Sequence, residues 1–107
     1  MKRFGQLIGL QPEHYDEYVA AHADVWPGVL AMIRECHIRN YSIFHHQGRL
    51  FAYFEYVGDD FEADMAKMAA DPVTQRWWDW MKPLQEPLAD RDEGAWWSDM
   101  EEVFHTD

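Results

Sequence analysis

An α+β fold in the order strand, helices, strand, strand, helices, strand follows from three features of this 107-residue chain. Two alternating runs meet at Gln47-Gly48, which marks a β-hairpin in the middle of the chain. A pair of amphipathic helical stretches flanks that hairpin on each side, several of them opened by a proline or an aspartate. Further strand-like runs open and close the chain.

Each element has its own warrant. Lys2 to Leu10 places Phe4, Gln6, Ile8 and Leu10 on one face and Arg3, Gly5, Leu7 and Gly9 on the other, the alternation of a strand. Gln11-Pro12-Glu13 opens a helix, with Glu13, Asp16 and Glu17 near the positive end of its dipole. On that helix Tyr15, Tyr18, Val19 and His22 share a face. Pro27 precedes a second stripe through Val29, Leu30, Ile33 and Cys36, which is either a separate helix or a continuation past a proline kink. From Ile38 the period becomes two, with Tyr41, Ile43 and His45 opposed by Asn40, Ser42 and Phe44. After the turn, Phe51, Tyr53 and Glu55 oppose Leu50, Ala52, Phe54 and Tyr56. Gly58-Asp59-Asp60 caps a helix through Phe61, Met65 and Met68, and Asp71-Pro72 supplies the N-cap and first residue of another, from Val73 to about Leu84. The stretch from Pro83 to Asp92 reads as a loop, and Glu101 to His105 as a short last strand.

The βαββαβ succession is the ferredoxin-like signature, an antiparallel sheet with helices on one face, here as one domain over residues 1–107. The strands carry apolar side chains on both faces, so the second face calls for cover by another copy of the chain, as a homodimer.

Composition narrows the function. Nine Lys and Arg against 20 Asp and Glu give a formal charge of -11, which excludes nucleic acid and anionic membrane surfaces as main partners. The apolar segment near the N-terminus is too short for a membrane span, and Cys36 is the only cysteine. It reads as a small buried hydrophobe in a protein of the reducing cytoplasm. Seventeen aromatic rings, six of them Trp, exceed what one small core buries, so some of them line a binding surface.

The six histidines include no HExxH, and His45 and His46 must point to opposite faces of a strand, so no metal site is expected. No glycine spacing fits a phosphate loop, and no serine sits in a nucleophile elbow. What remains is Tyr18 and His22 one helical turn apart, a phenol and an imidazole that both exchange protons, although an amphipathic helix alone also accounts for the pair. The second cluster is Arg76-Trp77-Trp78-Asp79-Trp80, where Trp77 and Trp80 lie close while Trp78 points about 100° away. Flat rings beside polar donors suit a small, polar, uncharged ligand such as a sugar, and Tyr41 on the hairpin adds a further phenol.

Four stretches together carry a resemblance to a known family. They are Tyr18-x-x-x-His22-x-x-x-Trp26-Pro27, Asn40-Tyr41-Ser42-Ile43, Asp71-Pro72-Val73-x-x-Arg76-Trp77-Trp78-x-x-Met81 and Glu102-Val103-Phe104-His105. In this order and over almost the whole chain they resemble the L-rhamnose mutarotase family. The resemblance implies a dimeric ferredoxin-like α+β barrel that interconverts the α and β anomers of a 6-deoxy sugar without a cofactor. It assigns the proton-donating histidine to His22; on that assignment His22 would protonate the ring oxygen while Tyr18 or Tyr41 orients or relays the anomeric proton, with a bound water or a carboxylate as the other candidates for the second transfer. It assigns sugar contacts to Tyr18, Tyr41, Trp77 and Trp78, with a small neutral monosaccharide as partner. One stretch departs from the family: Leu88 to Trp97 replaces an Asn-Pro-Asp-Asn-Ser-Pro-like loop, which makes L-fucose a competitor to L-rhamnose. Two other classes share these residue types: a cofactor-free monooxygenase on a similar small barrel, and a sugar-binding module without catalysis.

Overall fold

Every strand pairing in this chain is antiparallel, and a single sheet organises the rest. The computed structural model describes residues 1–107. Strand β1 (Lys2–Leu10) leads through a 3-10 turn (Pro12–His14) into α1 (Tyr15–His22) and α2 (Pro27–Glu35). The hairpin β2 (Ile38–His46) and β3 (Arg49–Tyr56) follows, then α3 (Phe61–Ala70) and α4 (Pro72–Met81). A 3-10 turn (Lys82–Leu84), β4 (Gln85–Glu86) and β5 (Ser98–Met100) complete the elements. The sheet order is β2-β3-β1-β4, with β5 also on β1.

Local chemistry sets the boundaries. Pro27 begins a separate helix, because its ring cannot continue α1 and suits a first helical turn. Asp60 accepts from the Ala63 N–H, and Asp71 accepts from both the Thr74 N–H and the Thr74 hydroxyl, so each aspartate caps the helix that follows it. The hairpin turns on Gln47 and Gly48, both at positive φ, as a two-residue turn requires.

Register sorts the faces of the sheet. Phe4 opposes Phe54, Gln6 opposes Ala52 and Ile8 opposes Leu50. These point toward the helices, where Ile8, Leu10 and Leu50 join Tyr18, Ala21, Val29, Trp77, Met81 and Leu84 in the main core. Each large apolar side chain so buried contributes about 1.5–3 kcal/mol. In β2 the register slips by one residue between Arg39 and Ser42, where Asn40 adopts φ +50°. That bulge lets Ile38 and Tyr41 both face inward although they stand three positions apart, an offset that would put them on opposite faces of a regular strand. Asn40 Nδ2 donates to Glu55 across the hairpin and holds the bulge in place.

The opposite face is bare. Leu7 opposes Phe51, and Phe51 opposes Phe44, whose ring is 63 % exposed. Tyr53 and Met100 flank Gly5 on the same surface.

Three boundaries differ from the sequence reading. Helix α4 ends at Met81, and its last expected turn is the tighter 3-10 piece. The Pro83–Asp92 stretch contains β4, which pairs with Gly9 and Leu10. The strand expected at Glu101–His105 lies earlier, at Ser98–Met100, and residues 101–107 form no ladder. Since β3 occupies one edge of β1, β4 and β5 lie end to end along the other, and the loop between them leaves the sheet there. Gly9 permits this approach, because a Cβ at that position would stand 2.6 Å from the Glu86 carbonyl oxygen.

Candidate active site

Between the inward face of the sheet and the helices lies a cavity of about 600 Å³, within the range of small-ligand sites. The five residues singled out in the sequence, Tyr18, His22, Tyr41, Trp77 and Trp78, all line it.

α1 supplies the first pair. His22 Nδ1 lies 2.8 Å from the Tyr18 carbonyl oxygen, the i−4 residue. A carbonyl only accepts, so Nδ1 carries the hydrogen and Nε2 of the neutral ring is bare. The ring stacks at a tilt on Tyr18, centroids 4.2 Å apart, and meets the edge of Trp77 at 5.4 Å. Burial among these rings penalises the imidazolium and lowers the His22 pKa below its ordinary value; the bond to the Tyr18 carbonyl offsets part of that. The resting ring at neutral pH is therefore a neutral base.

α4 supplies the wall behind it. Trp77, Trp80 and Trp26 pack mutually, with centroids 5.2 to 5.8 Å apart, and the Trp80 indole N–H donates to Glu17. Trp77 and Trp80 are close, as helical spacing requires. Trp78 points elsewhere, toward Lys82, whose Nζ sits 5.4 Å from its ring and 5.5 Å from that of Trp96. Trp77 is buried and Trp78 half-buried, so one braces His22 while the other faces the mouth.

Tyr41 reaches in from β2. Its ring lies 5.6 Å from Phe54, and although 42 % of the residue is accessible, the protein around its hydroxyl desolvates it and, with the Tyr18 phenol adding to this, pushes it up to about 12. Burial also raises Tyr18, partly offset by a hydrogen bond from Gln85. Both phenols stay protonated at neutral pH and are available as donors.

The sequence did not single out five polar groups that also line the cavity: Gln6, Thr74, Lys82, Gln85 and Asp99. Asp99 accepts from Gln6 Nε2 at 2.9 Å across β1 and β5. Only the register of those two strands brings them together, and sequence spacing carries no trace of it. Trp96 and Trp97, which the family pattern left without a role, close the cavity from the loop between β4 and β5. No three His, Cys, Asp or Glu side chains converge to hold a metal. What the arrangement offers is one basic nitrogen, several neutral donors and flat aromatic walls, a set that moves protons on an uncharged ligand.

Comparison with known proteins agrees with that description. A family model described as L-rhamnose mutarotase matches residues 3–106. The L-rhamnose mutarotase of Oceanobacillus iheyensis is 35% identical over 109 residues, and that of Bacillus subtilis 37%, each alignment covering both chains in full. Among solved structures, an L-rhamnose mutarotase from Formosa agariphila superposes with a TM-score of 0.77 at 22% identity over the whole of both chains. Tetracenomycin F2 cyclase from Streptomyces glaucescens, a type-II polyketide cyclase, superposes at 0.72 with 19% identity, covering 99% of this chain and 96% of its own. At such identities these two structures establish the fold alone.

Proposed function

This chain belongs to the L-rhamnose mutarotase family, and on that premise we propose how its cavity interconverts sugar anomers. The enzyme is a carbohydrate isomerase. Ring opening removes the hydrogen of the anomeric hydroxyl, breaks the bond between C1 and the ring oxygen, and places a hydrogen on that oxygen. The aldehyde then turns about the C1–C2 bond, and the reverse steps close the ring on its other face.

His22 performs both transfers. Neutral Nε2 takes the anomeric proton, and the imidazolium so formed delivers it to the ring oxygen, which is bonded to the same carbon. The single observation that carries this is the bond between Nδ1 and the Tyr18 carbonyl, which leaves Nε2 bare in a cavity walled by rings. Tyr18 and Tyr41 donate to the sugar oxygens, while Trp77 and Trp78 hold its C–H faces and methyl group. A positioned acid–base group of this kind is worth roughly 10²–10⁴-fold in rate. We assign L-rhamnose as substrate and keep L-fucose as competitor, because the loop bearing Trp96 and Trp97 departs from the family pattern.

The bare sheet face supports a homodimer. Phe44, Phe51 and Leu7 form an apolar surface on it, and Val103 and Phe104 beyond β5 are 85 % and 79 % exposed, so a second copy has much to cover. Cys36, buried and unpaired, suits a reducing cytoplasm. The test is saturation-transfer NMR between the anomeric protons of L-rhamnose and of L-fucose. Exchange above the buffer rate with L-rhamnose supports the assignment, and a faster rate with L-fucose reverses the order of substrates.

A further inference from the structure

A relay of three side chains, two of them buried, joins the divergent loop to the cavity. Gln85 is only 7 % exposed and Tyr18 only 4 %, and Trp96 is half-buried above them. The Trp96 indole Nε1 lies 2.8 Å from Gln85 Oε1, and Gln85 Nε2 lies 3.1 Å from the Tyr18 hydroxyl oxygen.

The donor inventory gives this relay a direction. An indole N–H can only donate, so the group facing it must be the carbonyl end of the Gln85 amide. The amide nitrogen then faces Tyr18, and it too can only donate. The phenol oxygen therefore accepts, and its own hydrogen must leave in another direction. No protein acceptor takes that hydrogen; the Tyr18 hydroxyl makes its one hydrogen bond to Gln85. We propose that Gln85, oriented by Trp96, is a positioning residue that forces Tyr18 to present its O–H to the sugar as a donor.

The assignment rests on the mutarotase reading and deepens it. Mutarotation needs one group that accepts a proton and another that steadies the oxygen on which negative charge develops. Neutral His22 supplies the acceptor, and a phenol locked as donor supplies the other, a buried donor of the kind that is worth most in a site shielded from water. The two lie one helical turn apart on α1, so the amide at the start of β4 sets the polarity of the pair. This also gives Trp96 a place in the site: it fixes which way the amide lies. The titratable side chains facing the cavity around this relay are Tyr18 and His22 on α1, Tyr41 on β2, Lys82 after α4 and Asp99 on β5.

The test measures kcat and KM for anomer exchange with the full chain, wild type first. Absence of wild-type exchange would remove the mutarotase reading itself; the variants then test the relay alone. Gln85→Met keeps the volume and cannot bond, so Tyr18 loses its enforced direction; kcat should fall about tenfold, the scale of one net hydrogen bond, with KM little changed. Gln85→Glu is more telling. Its carboxylate accepts from Trp96 and from the Tyr18 hydroxyl, withdrawing that hydrogen from the cavity, and kcat should fall below the Met variant. On acidification the carboxyl gains a hydrogen it can donate to Tyr18, so this variant's kcat should rise relative to wild type, which is losing its His22 base. Trp96→Phe frees the amide to turn over and should fall between wild type and Gln85→Met. If Gln85→Glu does not fold, as circular dichroism would show, the ordering of the other two still decides. Wild-type kcat in Gln85→Met, or equal losses in all variants with an unchanged pH profile, would overturn the proposal.

Discussion

Acidifying the enzyme from about pH 7.5 to about pH 5 separates two roles for His22 that the activity alone does not. The ring is half-buried between Tyr18 and Trp77, and its Nδ1–H is committed to a carbonyl. Desolvation holds its pKa below the ordinary 6.5. If neutral Nε2 is the group that starts the reaction, kcat/KM is flat at neutral pH and falls about tenfold per pH unit once the pH passes below that lowered value. Each such unit corresponds to about 1.4 kcal/mol of lost base. The assay is saturation transfer between α- and β-anomeric protons, with the buffer-catalysed rate subtracted at each pH. A rate that rises on acidification would show that the imidazolium is the working form, and an acid limb centred above 6.5 would show that burial does not hold the ring neutral; either result would refute the reasoning. The same titration enters stability with a defined sign. The folded-state value is below the unfolded one, so the unfolded chain binds more protons between them. Stability that depends on neutral His22 is complete above about 6.5 and is lost as the pH falls through the lower, folded value.

Other substitutions probe the remaining parts. Trp77→Ala removes a ring that is 6 % exposed and should cost about 3–5 kcal/mol in urea unfolding, with loss of exchange activity because His22 loses its brace. Asp71→Ala removes the cap of α4 and should cost about 1 kcal/mol while the exchange rate of the folded enzyme stays near wild type. Phe44→Glu places a charge on the bare sheet face and should shift sedimentation toward the monomer; an unchanged dimer would move the interface elsewhere.

The parts of this fold that the sequence made legible are those set by local chemistry. The hairpin at Gln47-Gly48, the aspartate caps and the proline at the start of α2 each depend on neighbours within a few residues. Tyr18 and His22 stood out together because a helix places them one turn apart, Trp77 and Trp78 stood out as a run of rings on one helix, and the resemblance gave these and Tyr41 their expected roles. The two strands beyond α4 were not legible. β4 has two residues, too few to show a period, and it exists because Gly9 and Leu10 offer an unpaired edge. Glu101–His105 carries Val103 and Phe104 and was read as a strand, yet within the chain only the Arg3–Glu102 ion pair ties it to β1. Gln85 was hidden for the same reason: it is 67 residues from Tyr18, and only the placement of β4 brings the amide to the phenol.

In the proposed mechanism His22 carries the proton between the two oxygens on C1 of a 6-deoxy sugar. Saturation-transfer NMR of L-rhamnose with wild type and with folded His22→Ala tests it most directly. Wild type should exchange well above the buffer rate, and the variant should fall by about 10²-fold or more. Wild-type exchange retained in full by folded His22→Ala would contradict it.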